Sequence, residues 1–337
     1  ALLLCNLKFF KRSKRFIMAH DTDQIRKLKN TVKLAGALAE LGELKTGEKN
    51  GIKWISFDGV IQCGETSVSN VRFRTFSREV TSQGKESKAY KNALSWYNSA
   101  VSLVKCGGDM SKVTMVELVG SLQDNMYWSP KNNKVVEDVM FSMGLFNKFT
   151  DYAANITLEG YVCVLGDEVS KKNDEPTGRQ RMAILSRDSY GNNIKFDRIV
   201  VPNTEVVEGG CPNMVQAFSD YDLERGSTAM FYVDLIPHIG ESAPSRGVGI
   251  CHDTPKSYIE RVLIGFDNTG YEDEDKKIPD ALAKKMLSER DAKKTQIEAE
   301  AEDGSPAPAV GVSSFKKPSG VGKIAPIEDD DLDDMPF

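Results

Sequence analysis

The chain is 337 residues long, 40% hydrophobic and 28% charged, with a formal net charge of −5. That is enough apolar material for one large domain or two smaller ones, and two is the better prior at this length. Its six cysteines (Cys5, Cys63, Cys106, Cys163, Cys211, Cys251) stand singly, tens of residues apart, which excludes a Cys-x-x-Cys or mixed Cys/His metal framework and fits buried thiols in a reducing compartment.

The distribution of charge says more than its sum. From Thr295 to Phe337 ten acidic residues face three lysines, whereas the opening segment carries Lys8, Lys11, Arg12, Lys14 and Arg15. The stretch between them is close to neutral, so any nucleic-acid surface must be a local patch. The opening ALLLCNLKFFKRSKRFI is apolar first and basic afterwards, the reverse of a secretory signal, and far short of the ~20 apolar residues of a membrane helix. Residues 1–17 read as an upstream extension outside the fold, with Met18 as the natural start; a basic membrane anchor is the alternative. The expected location is the cytoplasm.

In chain order, Thr31 to Leu41 reads as a strand with a glycine bend, followed by β-rich runs at Gly51 to Cys63 and Val68 to Val80. Ala89 to Val104 has apolar residues at helical spacing (Ala93, Leu94, Tyr97, Val101, Val104). Strand character resumes at Val113 to Asp124 and Lys134 to Phe149, separated by the turn-rich loop MYWSPKNN with its aromatic residues. A second stretch repeats that order. Asn155 to Gly166 is a strand with a central glycine, Arg179 to Pro202 a hairpin turning at Tyr190-Gly191-Asn192-Asn193, Cys211 to Gly226 a short helix, and Ser227 to Ile239 and Tyr258 to Asn268 two strands. Three strands, a helix and two strands is the order of the OB-fold, a five-stranded Greek-key barrel that binds oligonucleotides. The expected fold is therefore mostly β, with two tandem OB-fold domains at 31–150 and 154–270. A charged helix or linker at 271–303, expected to be exposed, follows them. Beyond it come a disordered Gly/Pro/Ser-rich tether at 304–327 and an acidic tip at 328–337.

An OB-fold body, a Gly/Pro-rich tether and the ending DDDLDDMPF together resemble the single-stranded DNA-binding proteins of bacteria and their phages. The resemblance is specific at Asp329, Asp330, Asp331, Asp333, Asp334, Pro336 and Phe337, which with Met335 form the expected partner-binding tip, and covers the body by fold pattern only. It implies that the tip docks proteins of replication, recombination and repair. The common bacterial form has one OB-fold per chain and assembles as a tetramer; two barrels here leave a homodimer or a monomer as the expectation.

Binding of single strands without sequence preference needs aromatic faces for stacking and cations along the phosphates. In VRFRTF, alternation puts Arg72, Arg74 and Phe76 on one face, and the window Arg72 to Lys91, which includes Arg78, has a local surplus of positive charge. Trp54 lies outward if Ile55 and Phe57 are core, and inward otherwise. Tyr127 and Trp128, followed by Lys131 and Lys134, fall in a loop of the kind that binds oligonucleotides in OB-folds. The second barrel offers Arg179, Arg181 and Arg187 on one strand face, Tyr190 at a hairpin tip, and Lys195 and Arg198 on the returning strand. Surface charge balance accounts equally well for any one of these arginines. His20, His238 and His252 stand alone, and no Ser/His/Asp order, Walker loop or HExxH appears. YEDEDKK reads as a solvated segment. The expectation is a non-enzymatic protein with no cofactor and no metal, whose partners are single-stranded DNA and the proteins that read its tip. The alternatives are a protein–protein adaptor built on OB-like barrels, and a phage strand-annealing protein.

Overall fold

The computed structural model describes residues 26–81, 84–169, 174–203, 213–239, 257–271 and 276–302. Its first half comprises β1 (Asn30–Leu41), β2 (Lys45–Lys49), β3 (Ile52–Gln62), β4 (Asn70–Arg78), α1 (Lys88–Ser99), β5 (Met115–Ser129) and β6 (Lys134–Lys148). The second half comprises β7 (Ala153–Val169), β8 (Pro176–Arg187), β9 (Asn193–Val201), α2 (Met214–Asp220), β10 (Thr228–Ile239), β11 (Ser257–Asp267) and α3 (Asp280–Glu302). The fold is mostly β, as the alternation of apolar residues predicts. No helix among the described residues is long and apolar enough to cross a membrane.

Strand pairing closes two circuits of the same order. In the first, β1 pairs with β3, β3 with β4, β4 in parallel with β6, β6 with β5, and β5 with β1. In the second, β7 pairs with β8, β8 with β9, β9 in parallel with β11, β11 with β10, and β10 with β7. In chain order one helix of each falls between the third and fourth strands of its circuit, α1 between β4 and β5 and α2 between β9 and β10. The first strands of the two circuits also pair with each other, from Asn30 opposite Leu158 to Ala35 opposite Ala153. The two halves thus share a continuous sheet, and one main apolar cluster draws buried side chains from both.

The central glycines of β1 and β7 make this sharing possible. A Cβ on Gly36 would stand 1.9 Å from the carbonyl oxygen of Gln62, and one on Gly160 would stand 2.5 Å from that of Leu185. Each glycine lies where its strand passes from the shared sheet to its own barrel, and only a bare Cα allows so close a backbone approach.

Helix α1 stops at Ser99 instead of running on to Val104. Beyond it the backbone is claimed elsewhere: Leu103 N donates to Leu38 O at 2.9 Å, and Val101 N donates to Thr114 Oγ1 at 2.9 Å. Trp96 of α1 stacks on Phe146, with centroids 4.6 Å apart, and lies 6.0 Å from Phe57, so the helix plugs one end of the first barrel.

Helix α3 forms where the sequence predicts one, but it is docked, not exposed along its length. Ala283 and Met286, together with Ile278, pack on Cys163, Ala183, Leu185 and Leu28 in a second, smaller core. That packing explains why β8 buries five consecutive residues, Met182 to Ser186. Met182 and Ile184 belong to the main core, whereas Ala183 and Leu185 belong to the core beneath α3. The helix is held further along by Arg290, which is 5% exposed and donates to Asp124 (3% exposed) at 2.6 Å. Lys293 reaches Asp124 at 2.5 Å, and Lys294 reaches Glu137 at 2.9 Å. Asp124 and Glu137 lie on the β5–β6 arm of the first barrel, so α3 ties that arm to the second.

Candidate nucleic-acid interface

The β3–β4 hairpin sets Trp54 opposite Arg78, Ser56 opposite Phe76, Asp58 opposite Arg74 and Val60 opposite Arg72. Val71, Phe73 and Thr75 fill the barrel, which leaves Arg72, Phe76 and Arg78 exposed on the outer face. Ile55 and Phe57 are 0% and 1% exposed, so the pleat turns Trp54 outward. Its ring meets that of Phe76 with centroids 6.0 Å apart at a 32° tilt, and the Arg78 guanidinium lies 5.8 Å from the Phe76 centroid. Arg74 differs from its neighbours, because its Nε donates to Asp58 Oδ1 at 2.7 Å and both side chains are largely covered. It balances charge within the hairpin.

Strand β2 widens this face. Lys45 pairs opposite Ser56 and Lys49 opposite Ile52, both exposed, and the strands turn through Asn50 and Gly51 at positive φ (55° and 75°). An Asn-Gly pair with both residues left-handed is the favoured two-residue hairpin turn. The face thus presents two aromatic rings among Lys45, Lys49, Arg72 and Arg78. Rings of this kind stack on bases for about 1–3 kcal/mol each.

Tyr127 and Trp128 are strand residues, opposite Val136 and Val135, and not members of a loop. The hairpin turn is confined to residues 130–133, where Lys131 sits, and Lys134 opens β6. Cross-strand bonding continues further than the turn-rich composition of MYWSPKNN predicts, because the β-branched Val135 and Val136 pair directly opposite Trp128 and Tyr127, one pair on each face of the hairpin. The arm carrying them is clamped against the second barrel by α3 and by Arg261, which donates to Asp138 at 3.2 Å and to Asp197 at 3.1 Å. Its rings are half-buried.

In the second barrel the matching hairpin is β8–β9, and its outer face is occupied. Glu168, 4% exposed, accepts from Arg179 Nε at 2.7 Å and Arg181 Nε at 2.8 Å. Arg179 also donates to Glu260 at 2.7 Å, and His238 lies 3.1 Å from the same carboxylate. Burial opposes the Glu168 charge, but hydrogen bonds and proximity to the two arginines outweigh it and hold the carboxyl below its ordinary value. These arginines are engaged by buried carboxylates. Arg187 donates to Asn193 Oδ1 at 3.1 Å, and Lys195, opposite Leu185, sits on the half-buried strand beneath α3. Tyr190 is 68% exposed at the hairpin turn, where Asp188 Oδ1 accepts from the backbone of Tyr190 at 2.8 Å and of Asn192 at 2.9 Å. Arg198 is exposed at a register shift between β8 and β9, with φ of 57°.

The acidic tip, Asp329 to Asp331, Asp333, Asp334 and Met335 to Phe337, lies outside the described residues, as does the 1–17 extension. Lys45 and Lys49 are the members of the first-barrel face that sequence reasoning missed.

Solved structures similar to the chain include proteins that bind single-stranded DNA. The wild-type single-stranded DNA-binding protein from Thermus aquaticus matches at 11% identity with a TM-score of 0.40, over 72% of this chain and 94% of that one. A deletion mutant of the same Thermus protein matches at 12% identity and a TM-score of 0.39, over 72% and 96%. A replication protein A heterotrimer bound to single-stranded DNA matches at 9% and a TM-score of 0.20, over 69% and 49%. No curated protein sequence matches the chain. A family model described as YorF matches residues 29–299, a span that takes in both circuits and most of α3. The chain belongs to the YorF family.

Proposed function

We propose that this protein binds single-stranded DNA without strong sequence preference, through the outer face of β2, β3 and β4, and that its two circuits are tandem OB-fold domains. The observation that carries the reading is the Trp54–Phe76 ring pair set among Arg72, Arg78, Lys45 and Lys49 on one open strand face. Stacking rings and phosphate-tracking cations on the same surface are what sequence-tolerant single-strand binding requires. The tandem OB-fold reading is supported by the circuit order, first strand to second, third, fifth, fourth and back to the first, with a helix before the fourth.

In this reading the protein is not an enzyme. It covers and protects single strands during replication, recombination or repair, and the tip ending in Pro336-Phe337 recruits partner proteins. Titration into fluorescent oligo-dT at several salt concentrations tests the DNA reading, with tight binding at low salt and a steep loss as salt rises. Absence of binding at low salt, or duplex bound as tightly as single strand, overturns it and favours the adaptor reading. Deletion of Met335 to Phe337 is expected to abolish partner capture while leaving oligo-dT affinity almost unchanged.

A further inference from the structure

Gly47 stands directly opposite Trp54 across the β2–β3 pair. A Cβ at this position would lie 2.4 Å from Trp54 Cζ2, 2.6 Å from Cε2 and 2.9 Å from Nε1. The indole therefore occupies the space that any other residue would fill with its own side chain. Backbone freedom does not account for the glycine, because its φ lies outside the left-handed region that favours glycine. Glycine inside a strand weakens it, so a close approach is the reason to look for. The indole is bounded by the β2 backbone and by Phe76, and an open depression of about 300 Å³ lies beside it, lined by Thr46, Gly47, Glu48, Lys53, Trp54 and Tyr90.

We propose that Gly47 is the positioning residue of the Trp54 platform. By omitting a Cβ it seats the indole against β2 and sets the orientation in which the ring meets a base. This rests on the reading of the β3–β4 face as a DNA site. A methyl at 47 has to push the ring off its seat, since the strand backbone accepts alanine and only the indole stands in the way. An aromatic ring over a strand glycine also protects an edge strand, and the test has to separate that role from positioning.

The full chain is measured as wild type, Gly47→Ala, Trp54→Ala and the double variant, by anisotropy of labelled oligo-dT with a thermal melt of each. A parallel set with Trp96→Phe and Trp128→Phe leaves Trp54 as the single tryptophan, so that its fluorescence quenching by DNA reports the ring itself. Gly47→Ala is expected to weaken oligo-dT binding by at least about fivefold, toward the loss of one stacked base, and to reduce the quench. Added to Trp54→Ala it is expected to cost nothing further, the signature of two residues acting as one unit. If Trp54→Ala weakens binding and Gly47→Ala does not, the positioning role is wrong and the DNA face stands. If Gly47→Ala weakens binding equally with and without the indole, its role is structural and the proposal is overturned. If Trp54→Ala leaves affinity unchanged, the DNA reading of the face itself fails.

Discussion

The two barrels are built by the same strand circuit, yet their corresponding hairpins have met different fates. The β3–β4 face of the first carries outward-facing rings and cations, with Arg74 neutralised from within by Asp58. The β8–β9 face of the second is roofed by α3, and two of its arginines are bound to buried carboxylates. A repeated fold therefore does not imply a repeated site. Once a helix buries Ala183 and Leu185, and carboxylates of β7 and β11 engage Arg179 and Arg181, that face is filled, and the neighbouring first barrel keeps the open surface.

Breaking the roof is expected to give the largest effect. Arg290→Ala leaves Asp124 buried against a weakened set of partners, and removal of one member of a buried ion pair costs about 3–5 kcal/mol. Chemical denaturation of the variant measures that loss. Glu168→Gln strips Arg179 and Arg181 of their shared charge and is expected to destabilise by about 1–3 kcal/mol, with oligo-dT affinity unchanged. A large loss of DNA affinity from that substitution blurs the distinction between the barrels. Replacing Arg72 and Arg78 with glutamine sharpens it: for each phosphate left without its cation, the slope of log affinity against log salt should fall by about 0.7. Acid acts on the paired carboxylates. Glu137 and Glu168 are each pulled below the ordinary value of 4.5, with burial opposing their charge and basic partners outweighing it. A lowered folded-state value means stability that is fully present above that ordinary value and lost as pH falls through the lowered ones. Denaturation midpoints measured from neutral pH downward should therefore hold and then fall below about pH 4.5, and Glu168→Gln should flatten the fall.

Much of the first-barrel face was legible because its signals are local. Strict alternation in VRFRTF identified the outward set, whereas the side of Trp54 stayed open in the sequence and was decided by the burial of Ile55 and Phe57. Strand β2 was not legible, since KTGEK has no apolar residue to mark a face and is held only by pairing with β3. Tyr127 and Trp128 were misplaced into a loop because Pro130 and the two asparagines after it suggest a longer turn than the residues 130–133 that form it. The state of Arg179 and Arg181 depends on Glu168, eleven residues before the first of them, and on Glu260, 81 residues after it. No periodicity reports such pairs. The docking of α3 was hidden by its short buried stripe, Ala283, Met286 and Arg290, in which the last of three buried positions carries a charge and masks the amphipathic pattern.

The central claim is that the working face belongs to the first barrel. Oligo-dT affinity of Trp54→Ala/Phe76→Ala, set beside that of Arg187→Ala/Tyr190→Ala at one salt concentration, tests it most directly. The first pair is expected to lose at least about tenfold in affinity, on the scale of one or two stacked bases, while the second stays within about twofold of wild type, as for surface substitutions away from a site. A loss confined to the second pair, or equal in both, contradicts the claim.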